Sequence, residues 1–596
     1  MFINKIASNT NHSLLNQKIN YLQNFRGNNI IRKDILSTQE TDSVSFSGRA
    51  NMLPKDKMIN YAKSILETNN LQAGQKLYIT GLSTFLPFLD ILVEEAYKMD
   101  SGLISFKVIE PEIEALKEKY GITEEFDFIK KEREDYKDAN AIFLNFDKTN
   151  NPFIKAGLSD DEIKTEINTA FVQVPQEIRD LFKINPEEVL KYALDIHKGQ
   201  PLFIYGEREH LPYITEMVEW LYANNDTKLV NVKINNNSQL NLYKYGNDNL
   251  IEQVPNTCID AEKEYYEKDV ASLYFDGEDP NFYSEADTDR VVRNNKARRS
   301  AIKEYRSLTS TNVPWLIYYA PTTKSCKEAY KEYDDGEFGS LIQAYKEANE
   351  INRIGHLEEH LSNLDYRARK MNELVQNGFR TMHYLSVDEF GNPDGKTDFT
   401  VKLSPDSIFN CARMDMPKYN HRPIVNIPTE EVFSAPLANS AEGILSATKP
   451  LSLNGKTVEN LQFQFKNGAI IDIKATKNED MLKAHINAYK NADRLGEIAL
   501  VAGSPIEKTG RIFNSVLLDE NASCHFAIGD SYPDTIKGAD EIQDYKEQKE
   551  FLNSKNINTS DTHNDFMVGG KNIIITAINN DTGEILEVIK NDKFLL

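Results

Sequence analysis

The sequence predicts two tandem, doubly wound α/β units in the N-terminal half, followed by an α+β, mainly antiparallel β domain. Three observations support this fold class. Helical and strand patterns alternate from about residue 57, the order of these elements recurs, and short strands separated by Asn-Gly and Asp-x-x-Gly turns follow residue 376. Alternating helices and strands are typical of parallel sheets, whereas closely spaced strands joined by such turns are typical of antiparallel sheets.

Residues 1–54 are predicted to be a flexible leader. They are rich in Asn and Ser, contain no acidic residue before Asp34 and show no sustained hydrophobic period. A basic, acid-poor start can also be an organelle presequence, but the amphipathic helical pattern that import needs is weak. We therefore expect this segment to be disordered.

Residues 55–182 and 183–375 are predicted to form the two α/β units, the second with a helical connection at its end. In the first unit the helical stretch INYAKSILETNNLQ precedes the strand KLYITG, and in the second EEVLKYALDI precedes PLFIYG. A basic helix (RVVRNNKARRSAIKEYRSL), the strand VPWLIYYAP and a helical stretch from about Gly336 to Asn377 complete the second unit.

Two pairs of matching residues indicate that these units are copies of each other. Gly74-Gln75 matches Gly199-Gln200 at an offset of 125 residues, and Phe146-Asp147 matches Phe275-Asp276 at an offset of 129 residues. Because both offsets are nearly equal and the elements occur in the same order, a duplication is the simplest explanation.

Residues 376–596 are predicted to form the antiparallel domain, with one helix near residues 478–494. Its strands include TMHYLSV, TDFTVKL, GEIALVA and NIIITAI, and NLQFQFKNGAIIDIKAT has the pattern of a hairpin. The alternation of apolar and polar residues in these segments is that of half-buried strands.

Composition excludes several classes of function. With 91 acidic and 69 basic side chains the net charge is −22, which argues against nucleic acid as a partner. The four cysteines form no C-x-x-C pair, so neither a disulfide framework nor a zinc knuckle is predicted, and a reducing, cytoplasmic location fits best. No apolar run approaches the roughly 18 residues that a transmembrane helix needs, so no membrane partner is expected.

Two short motifs are misleading. His356 and His360 form an H-x-x-E-H pattern that could hold zinc on a helix, but the stretch is densely charged and contains no third ligand. Gly395-Lys396-Thr397 lacks the upstream glycine of a phosphate loop. We interpret the first motif as a charged helix and the second as a hairpin turn.

Carboxylates and imidazoles recur at predicted strand ends of the C-terminal domain. Each alone is more simply a turn or core residue. Together they form the mixed oxygen and nitrogen ligand set of a paired divalent metal site, suited to Zn, Co, Mn or Mg. No residues for another cofactor are predicted. The candidates, with one tyrosine, are Glu430, Glu431, Glu497, Glu520, His525, Tyr532, His563 and Asp565.

Five segments of this domain, NIPTEEVFSAP, AEGIL, RLGEIALV, SPIEKTGRIFNSVLLDENASCHFAIG and HNDFMVGG, closely resemble the M29 family of metallo-aminopeptidases, also called the thermophilic aminopeptidase family. The resemblance is collinear from about Pro186 to the C-terminus, and its motifs are specific because they occur in the family's order.

The resemblance implies a metal-dependent aminopeptidase that releases N-terminal residues from peptides through a water activated by two metal ions. It places Tyr532 beside the metals and implies a homodimer, unless the extra N-terminal unit blocks pairing. Glu497 is the implied bridging ligand. For the proton shuttle we consider Glu430, although neighbouring strand residues point to opposite faces. The implied metal ligands are Glu431, Glu497, Glu520, His525, His563 and Asp565.

Two alternatives remain open at this stage. The two α/β units could bind a ligand at their strand ends, with structural metals only, although neither Gly-Gln turn has G-x-G-x-x-G spacing. A two-metal site could also hydrolyse a different amide or an ester. Family members usually carry one N-terminal α/β unit, so the first unit is predicted to be an addition.

Overall fold

The computed structural model describes residues 53–453, 456–542 and 544–596. The predicted leader, apart from its last two residues, lies outside the described residues. Among the described residues, no helix is long and apolar enough to span a membrane.

The first described elements surround a three-stranded parallel sheet. Its order is β2-β1-β3, with Leu77 of the central strand aligned with Ile104 and Ile142 of its neighbours. The elements are α1 (Pro54–Thr68), β1 (Leu77–Leu82), α2 (Leu86–Lys98), β2 (Ile104–Ile109), α3 (Pro111–Tyr120), α4 (Asp127–Asp138), β3 (Ile142–Phe146), α5 (Pro152–Ala156), α6 (Asp160–Ala170) and α7 (Gln176–Arg179).

A second parallel sheet follows, with five strands in the order β11-β7-β6-β4-β5. Its strand β11 comes from the C-terminal part of the chain and pairs with β7. The elements are β4 (Leu202–Gly206), α8 (Leu211–Asn224), β5 (Val230–Ile234), α9 (Ser238–Tyr245), α10 (Asn256–Glu267), β6 (Ala271–Asp276), α11 (Thr288–Asn312), β7 (Trp315–Tyr319), α12 (Cys326–Ala329), α13 (Gly339–Ile351) and α14 (Leu357–Gln376).

The two parallel sheets share local features. In each, the first strand lies between the next two strands of the chain and pairs with both. Gly74 and Gly199 both have φ +74°, where a side chain would be strained. Gln75 and Gln200 each donate a hydrogen bond of 2.9 Å from Nε2 to a backbone carbonyl just before the third strand, that of Asn140 and that of Asp269.

The remaining chain forms two antiparallel sheets and a two-stranded ribbon. The larger sheet has the order β17-β16-β13-β9-β8-β21-β22-β23, and the smaller has the order β10-β12-β18-β19-β20. The elements are β8 (Phe379–Val387), β9 (Pro393–Lys402), β10 (Asn410–Cys411), β11 (Asn426–Ile427), β12 (Glu431–Ser434), β13 (Glu442–Ser446), β14 (Leu451–Leu453), β15 (Lys456–Val458), β16 (Gln462–Lys466), β17 (Ala469–Lys474), α15 (Glu479–Ala488), β18 (Leu495–Val501), α16 (Pro505–Thr509), α17 (Val516–Glu520), β19 (His525–Gly529), α18 (Tyr545–Ser554), β20 (His563–Met567), β21 (Ile573–Asn579), β22 (Ile585–Lys590) and β23 (Lys593–Phe594).

The protein is thus a mixed α/β molecule with several separate sheets. The three-stranded sheet shares a hydrophobic core with neighbouring helices, including α9, and this core contains Ile79, Phe88 and Leu242. A larger core is continuous from the five-stranded parallel sheet to the antiparallel sheets, and includes Leu273, Tyr384 and Phe526. The antiparallel part therefore shares its core with the preceding parallel sheet.

Three element predictions are wrong in detail. The stretch predicted as one helix from Gly336 to Asn377 is two helices, α13 and α14, because residues 352–356 form a turn with Arg353 and Gly355 at positive φ. The stretch EEVLKYALDI forms a π-helical turn at Glu188–Ala193. The C-terminal part contains α16, α17 and α18 besides the predicted helix; α16 and α17 have too few turns to show a clear period, and α18 was not recognised in its charged segment.

Candidate metal centre

One face of the five-stranded antiparallel sheet collects the predicted ligands. Glu497 of β18 pairs with Ala527 of β19, which pairs with Asp565 of β20. Paired residues of antiparallel strands lie on the same face, and residues two apart return to that face. His525 and His563, each two residues before one of these positions, therefore join them. The small Ala527 leaves space between the two carboxylates.

Glu431 reaches the same face from the neighbouring strand. It begins β12 and pairs with Val501, four residues after Glu497 on β18. Its Oε2 lies 3.1 Å from Nε2 of His525. The sheet thus brings together side chains separated by more than 130 residues of sequence.

The ligand atoms form two groups of three that share Glu497. The atoms of Glu431, Glu497 and His525 lie within 4.8 Å of one another, as do those of Glu497, His563 and Asp565. Nε2 of His563 is 3.1 Å from Oε2 of Glu497 and 3.2 Å from Oδ1 of Asp565. A carboxylate common to two groups is the arrangement that a bridging ligand requires.

Both imidazoles are oriented by the backbone. Nδ1 of His563 donates a hydrogen bond of 2.8 Å to the carbonyl of Asp530, and Nδ1 of His525 donates one of 3.2 Å to the carbonyl of Ser523. Protonation of Nδ1 leaves Nε2 of each neutral ring as the lone-pair donor, and Nε2 is the atom that faces the carboxylates. Such hydrogen bonds are typical of metal-binding histidines.

The two groups of ligand atoms line one pocket, which we call the metal-centre pocket. Glu520, at the end of helix α17, lines it too, although Glu520 belongs to neither group of three. The helix is held at its start by Ser515, whose hydroxyl accepts a hydrogen bond of 3.3 Å from the N–H of Leu518 and donates one of 2.7 Å to Asp276 of β6. The next residue, Asn521, accepts a hydrogen bond of 2.7 Å from the N–H of Glu430. The parallel sheet therefore helps to position this carboxylate.

The charges of this pocket are strongly coupled. Burial raises the pKa of Glu497 and holds that of Glu520 well above its usual range, and neighbouring carboxylates add to both effects. Burial lowers the pKa of His525, but Glu431, Glu497 and Asp565 outweigh it and raise that pKa to about 10. Four carboxylates concentrated in a buried pocket need compensating positive charge.

The residues fit a divalent metal centre. Oε2 of Glu431 is buried and has no hydrogen-bond partner among the described residues, and its nearest cationic group is the His525 imidazole, whose Nε2 lies 3.1 Å away. An unsatisfied buried carboxylate oxygen is costly unless a cation binds it. The donor set of four carboxylates and two neutral imidazoles matches what Zn, Co or Mn prefers, and Mg accepts its oxygen ligands.

Tyr532 lies at the mouth of the pocket. Its ring is 4.9 Å from the His563 ring and 5.9 Å from that of Phe433. His563 lowers the pKa of Tyr532, but burial of the hydroxyl and the nearby carboxylates outweigh it, so the pKa is raised and the hydroxyl keeps its proton. Residues that sequence reasoning missed also line the pocket, because no motif marks them: Trp315, Cys411, Ala412, Arg413, Met414, Val425, Asn426, Phe433 and Asp534.

Glu430 lies apart from the other candidates. It does not line the pocket, because the adjacent Glu431 points to the opposite face of β12. Its carboxylate forms a two-pronged ion pair with Arg353, at 2.9 Å from both Nε and Nη2, and is 1% exposed. The structure therefore places Glu430 in a buried ion pair outside this pocket, and its role as proton shuttle stays a prediction.

The H-x-x-E-H motif does not form a metal site in the structure. His360 donates a hydrogen bond of 2.7 Å from Nε2 to the carbonyl of Thr429, and lies 3.5 Å from Glu430. His356 precedes helix α14 and belongs to none of the ligand groups found among the described residues. Gly395-Lys396-Thr397 lies within β9, where Gly395 has positive φ, at the point where the pairing register between β9 and β8 shifts.

The geometry defines a class of site: a carboxylate-rich centre suited to divalent metal ions, of the kind that metal-dependent hydrolases use. The chain belongs to the thermophilic metalloprotease (M29) family, whose model matches residues 186–594. The recognition made from the sequence motifs is thereby confirmed, as is the prediction of a metallopeptidase.

Curated relatives support the same assignment. Aminopeptidase AmpS of Bacillus subtilis is 29% identical over 399 residues, covering 66% of this chain and 93% of that protein. Aminopeptidase PepS of Streptococcus thermophilus is 32% identical over 356 residues, covering 58% and 82%. A solved structure, wild-type AmpT from Thermus thermophilus, has a TM-score of 0.62 at 22% identity and covers 71% of this chain and 99% of that one. The last comparison shows that the two share a fold.

Proposed function

We propose that this protein is a metal-dependent aminopeptidase that releases single N-terminal residues from peptides. The observation that carries the proposal is the position of Glu497, which is shared by two groups of ligand atoms on one face of a sheet. Membership of the metalloprotease family and the names of the relatives point to the same chemistry. The proposed substrates are peptides with a free α-amine, which the acidic pocket would attract.

The proposed centre holds two divalent ions, drawn from Zn, Co, Mn or Mg. Glu431 and His525 would hold one, and His563 and Asp565 the other, with Glu497 between them and Glu520 as the remaining ligand. When bound, such a pair polarises a carbonyl and ionises water at neutral pH.

The chain's own residues would orient and stabilise the reacting groups. The backbone carbonyls of Asp530 and Ser523 keep the two imidazoles in position. The protonated hydroxyl of Tyr532 would donate a hydrogen bond to the oxygen that becomes negative during attack on the peptide carbonyl. Because Arg353 holds Glu430 outside the pocket, one of the carboxylates that line the pocket would serve as the proton shuttle.

The remaining predictions on organisation belong to the same proposal. Residues 55–182 and 183–375 are proposed to be tandem, doubly wound copies, and residues 376–596 the catalytic domain. The common strand order and the matching Gly-Gln turns support the duplication. The family match begins at residue 186, so the first copy lies outside it. A cytoplasmic location fits the four free cysteines, and the expected assembly is a homodimer unless the first copy blocks pairing.

The test is an assay of purified protein stripped with a chelator and resupplied with Co, Zn or Mn. We expect metal-dependent cleavage of aminoacyl-anilides and no cleavage of the same compounds after N-acetylation. Bis-p-nitrophenyl phosphate serves as a phosphoester control. Cleavage of the acetylated compounds or of the phosphoester alone would replace the proposal by another hydrolase, and inactivity with two bound metals would favour a binding protein.

A further inference from the structure

A second pocket adjoins the candidate metal centre. It shares Asp534 and Met414 with the metal-centre pocket, so these two residues form the wall between the pockets. We call it the acidic side pocket, because three carboxylates line it: Asp415, Asp534 and Asp540. Among the described residues that line it, none is a lysine, an arginine or a histidine.

Asp534 lies where the two pockets meet and is only half satisfied. Asn410 donates a hydrogen bond of 3.1 Å to Oδ2 of this carboxylate. Oδ1 is buried and has no hydrogen-bond partner among the described residues. Burial raises the pKa of Asp534 to about 6, despite the hydrogen bond from Asn410, and the charges of Asp540 and Asp415 add to the rise. A buried carboxylate in this state is stabilised by a neighbouring cation.

The charged groups near Asp534 do not neutralise it, so its carboxylate is available to a cationic ligand. Asp415 already pairs with Arg422 at 3.0 Å, and Asp540 forms no ion pair with any described residue. Arg413 lines the metal-centre pocket, but its guanidinium donates a hydrogen bond of 2.8 Å to the carbonyl of Arg422 and stacks on Tyr192 at 4.9 Å. Its hydrogen-bonding capacity is thus directed to the backbone rather than to Asp534.

The rest of the acidic side pocket suits the aliphatic stem of a long side chain. Leu308, Met414, Pro533 and Ile542 supply apolar surface beside the carboxylates. Lysine and arginine side chains combine an apolar stem with a cationic end, and therefore bury the stem while the charge meets an acid. A neutral side chain of equal length would leave Asp534 unpaired.

We propose that the acidic side pocket receives the side chain of the substrate's N-terminal residue and selects lysine or arginine there, with Asp534 as the specificity-determining group. The inference rests on the proposed aminopeptidase function, because that reaction brings the N-terminal residue to the metal centre. The side chain of that residue is then the part of the substrate nearest to the shared wall formed by Asp534 and Met414.

The experiment compares lysyl-, arginyl- and norleucyl-p-nitroanilide with the metal-loaded protein. Norleucine has the lysine stem without the ε-amine and is therefore a matched neutral substrate. We expect kcat/KM to be about tenfold or more higher for the two cationic substrates, and Asp534→Asn to remove that advantage, chiefly through KM. The loss of kcat/KM in this variant should be clearly smaller for norleucyl-p-nitroanilide than for the two cationic substrates, because the norleucine stem makes no ion pair.

Two further variants complete the design. Asp540→Asn removes the exposed carboxylate of the acidic side pocket and should cause a smaller loss with the same substrate pattern. Asp472→Asn makes the same charge change on β17 of the eight-stranded sheet, where the side chain is 48% exposed, and should leave all three rates unchanged. Circular dichroism at the assay temperature confirms that each variant is folded.

The outcomes separate the two proposals. Wild-type preference for norleucine, or an equal loss for all three substrates in Asp534→Asn, would overturn the selection of cationic residues while the aminopeptidase function stands. A cationic preference that appears only at the second residue, measured with Leu-Lys-amide against Leu-norleucine-amide, would overturn the assigned position. If none of the three anilides is cleaved, the aminopeptidase function itself fails and the inference falls with it.

Discussion

Glu497 is the residue on which the candidate metal centre depends most, since both groups of ligand atoms include it. Glu497→Gln keeps the size of the side chain and removes its negative charge. We expect kcat/KM to fall by at least about 100-fold and the bound metal to fall below two ions per chain, because a neutral amide is a weak metal ligand. Anilide kinetics and elemental analysis of the dialysed protein measure both effects.

The control for this variant is Glu584→Gln, which makes the same change in an exposed turn. It should retain wild-type activity and metal content. A Glu497→Gln protein that keeps two ions and normal turnover would show that Glu497 is not the shared ligand.

Glu430 differs from its neighbour in the role that the structure gives it. Glu430→Gln breaks the buried ion pair with Arg353, and we expect the free energy of unfolding to fall by roughly 3–5 kcal/mol, as when one partner of a buried charge pair is lost. Metal content should not change, because Glu430 faces away from the ligands. Urea denaturation and elemental analysis test the two expectations.

Glu459→Gln is the matched comparison, since Glu459 pairs with Lys477 at 2.8 Å on the surface and its side chain is 41% exposed. This variant should lose no more than about 1 kcal/mol. Loss of metal from Glu430→Gln without loss of stability would return Glu430 to the metal centre.

At the residue scale, the types of side chain in the metal centre were easier to predict from the sequence than the role of each individual residue. The motifs marked the carboxylates and imidazoles that the sheet later brings together. Glu430 lies apart from the pocket, as the alternation of side chains along a strand had indicated, and its ion pair with Arg353 had no signal in the sequence. Asp534 was missed because its importance comes from burial and from an unsatisfied oxygen, and both depend on segments distant in sequence.

At the element scale, Asp90 of helix α2 connects the three-stranded part to helix α9. Its Oδ2 accepts a hydrogen bond of 2.7 Å from Asn237, and its carbonyl accepts one of 3.2 Å from Asn241. Burial raises the pKa of Asp90 to about 7, although the hydrogen bond from Asn237 opposes the rise. The folded protein therefore keeps this proton at pH values where the unfolded chain has lost it.

This difference predicts the sign of a pH effect. Between about pH 4 and pH 7 the folded state binds more protons at Asp90 than the unfolded state, so the contribution of Asp90 to the free energy of unfolding falls as pH rises. Asp90→Asn removes the ionisation. We expect the variant to be more stable than the wild type at pH 8, by on the order of 2–4 kcal/mol, and the two to converge near pH 4.

Urea unfolding followed by circular dichroism at pH 5 and pH 8 measures this difference. Asp100→Asn is the control, because the exposed Asp100 accepts a hydrogen bond of 2.8 Å from Asn247 at the same boundary. The control should not show the crossover with pH. A destabilisation of Asp90→Asn that is equal at both pH values would mean that the carboxylate is needed in its charged form.

Elements with a clear period were predictable, and those defined by distant pairing were not. The strands β1, β4 and β18 follow the apolar patterns read from the sequence. The two-residue strands β10 and β11 have no pattern of their own and exist only because β12 and β7 lie beside them. In the turn between α13 and α14, Arg353 has a positive φ. The same residue forms the ion pair with Glu430, which is distant in sequence.

At the scale of the whole molecule, the two largest hydrophobic cores among the described residues accompany the order of parallel and antiparallel parts that the sequence predicted. The three-stranded sheet belongs to one core, whereas the metal-centre sheet lies over the core that continues into the five-stranded parallel sheet. Strand β11, from the C-terminal part of the chain, pairs with β7 of the parallel sheet. It also brings Asn426 to the wall of the metal-centre pocket. A boundary near residue 376 could be predicted from the change in hydrophobic pattern. The pairing of β11 with β7 across that boundary could not, because pairing between distant segments leaves no periodicity in the sequence.

The arrangement of cores predicts where metal binding stabilises the protein. A ligand that binds only the folded state stabilises it by about 2.7 kcal/mol at a free concentration of 100 times its dissociation constant. The four carboxylates of the centre repel one another without cations, so removal of metal by a chelator should increase amide hydrogen exchange in β12, β18, β19 and β20. The strands β1–β3, which belong to the separate core, should keep their exchange rates.

Hydrogen-exchange mass spectrometry on the wild type and on Glu497→Gln makes the comparison, and the variant should show little response to added metal. A uniform change over both cores, or equal protection of the variant by metal, would contradict the assignment, because stabilisation would then not originate at the shared carboxylate.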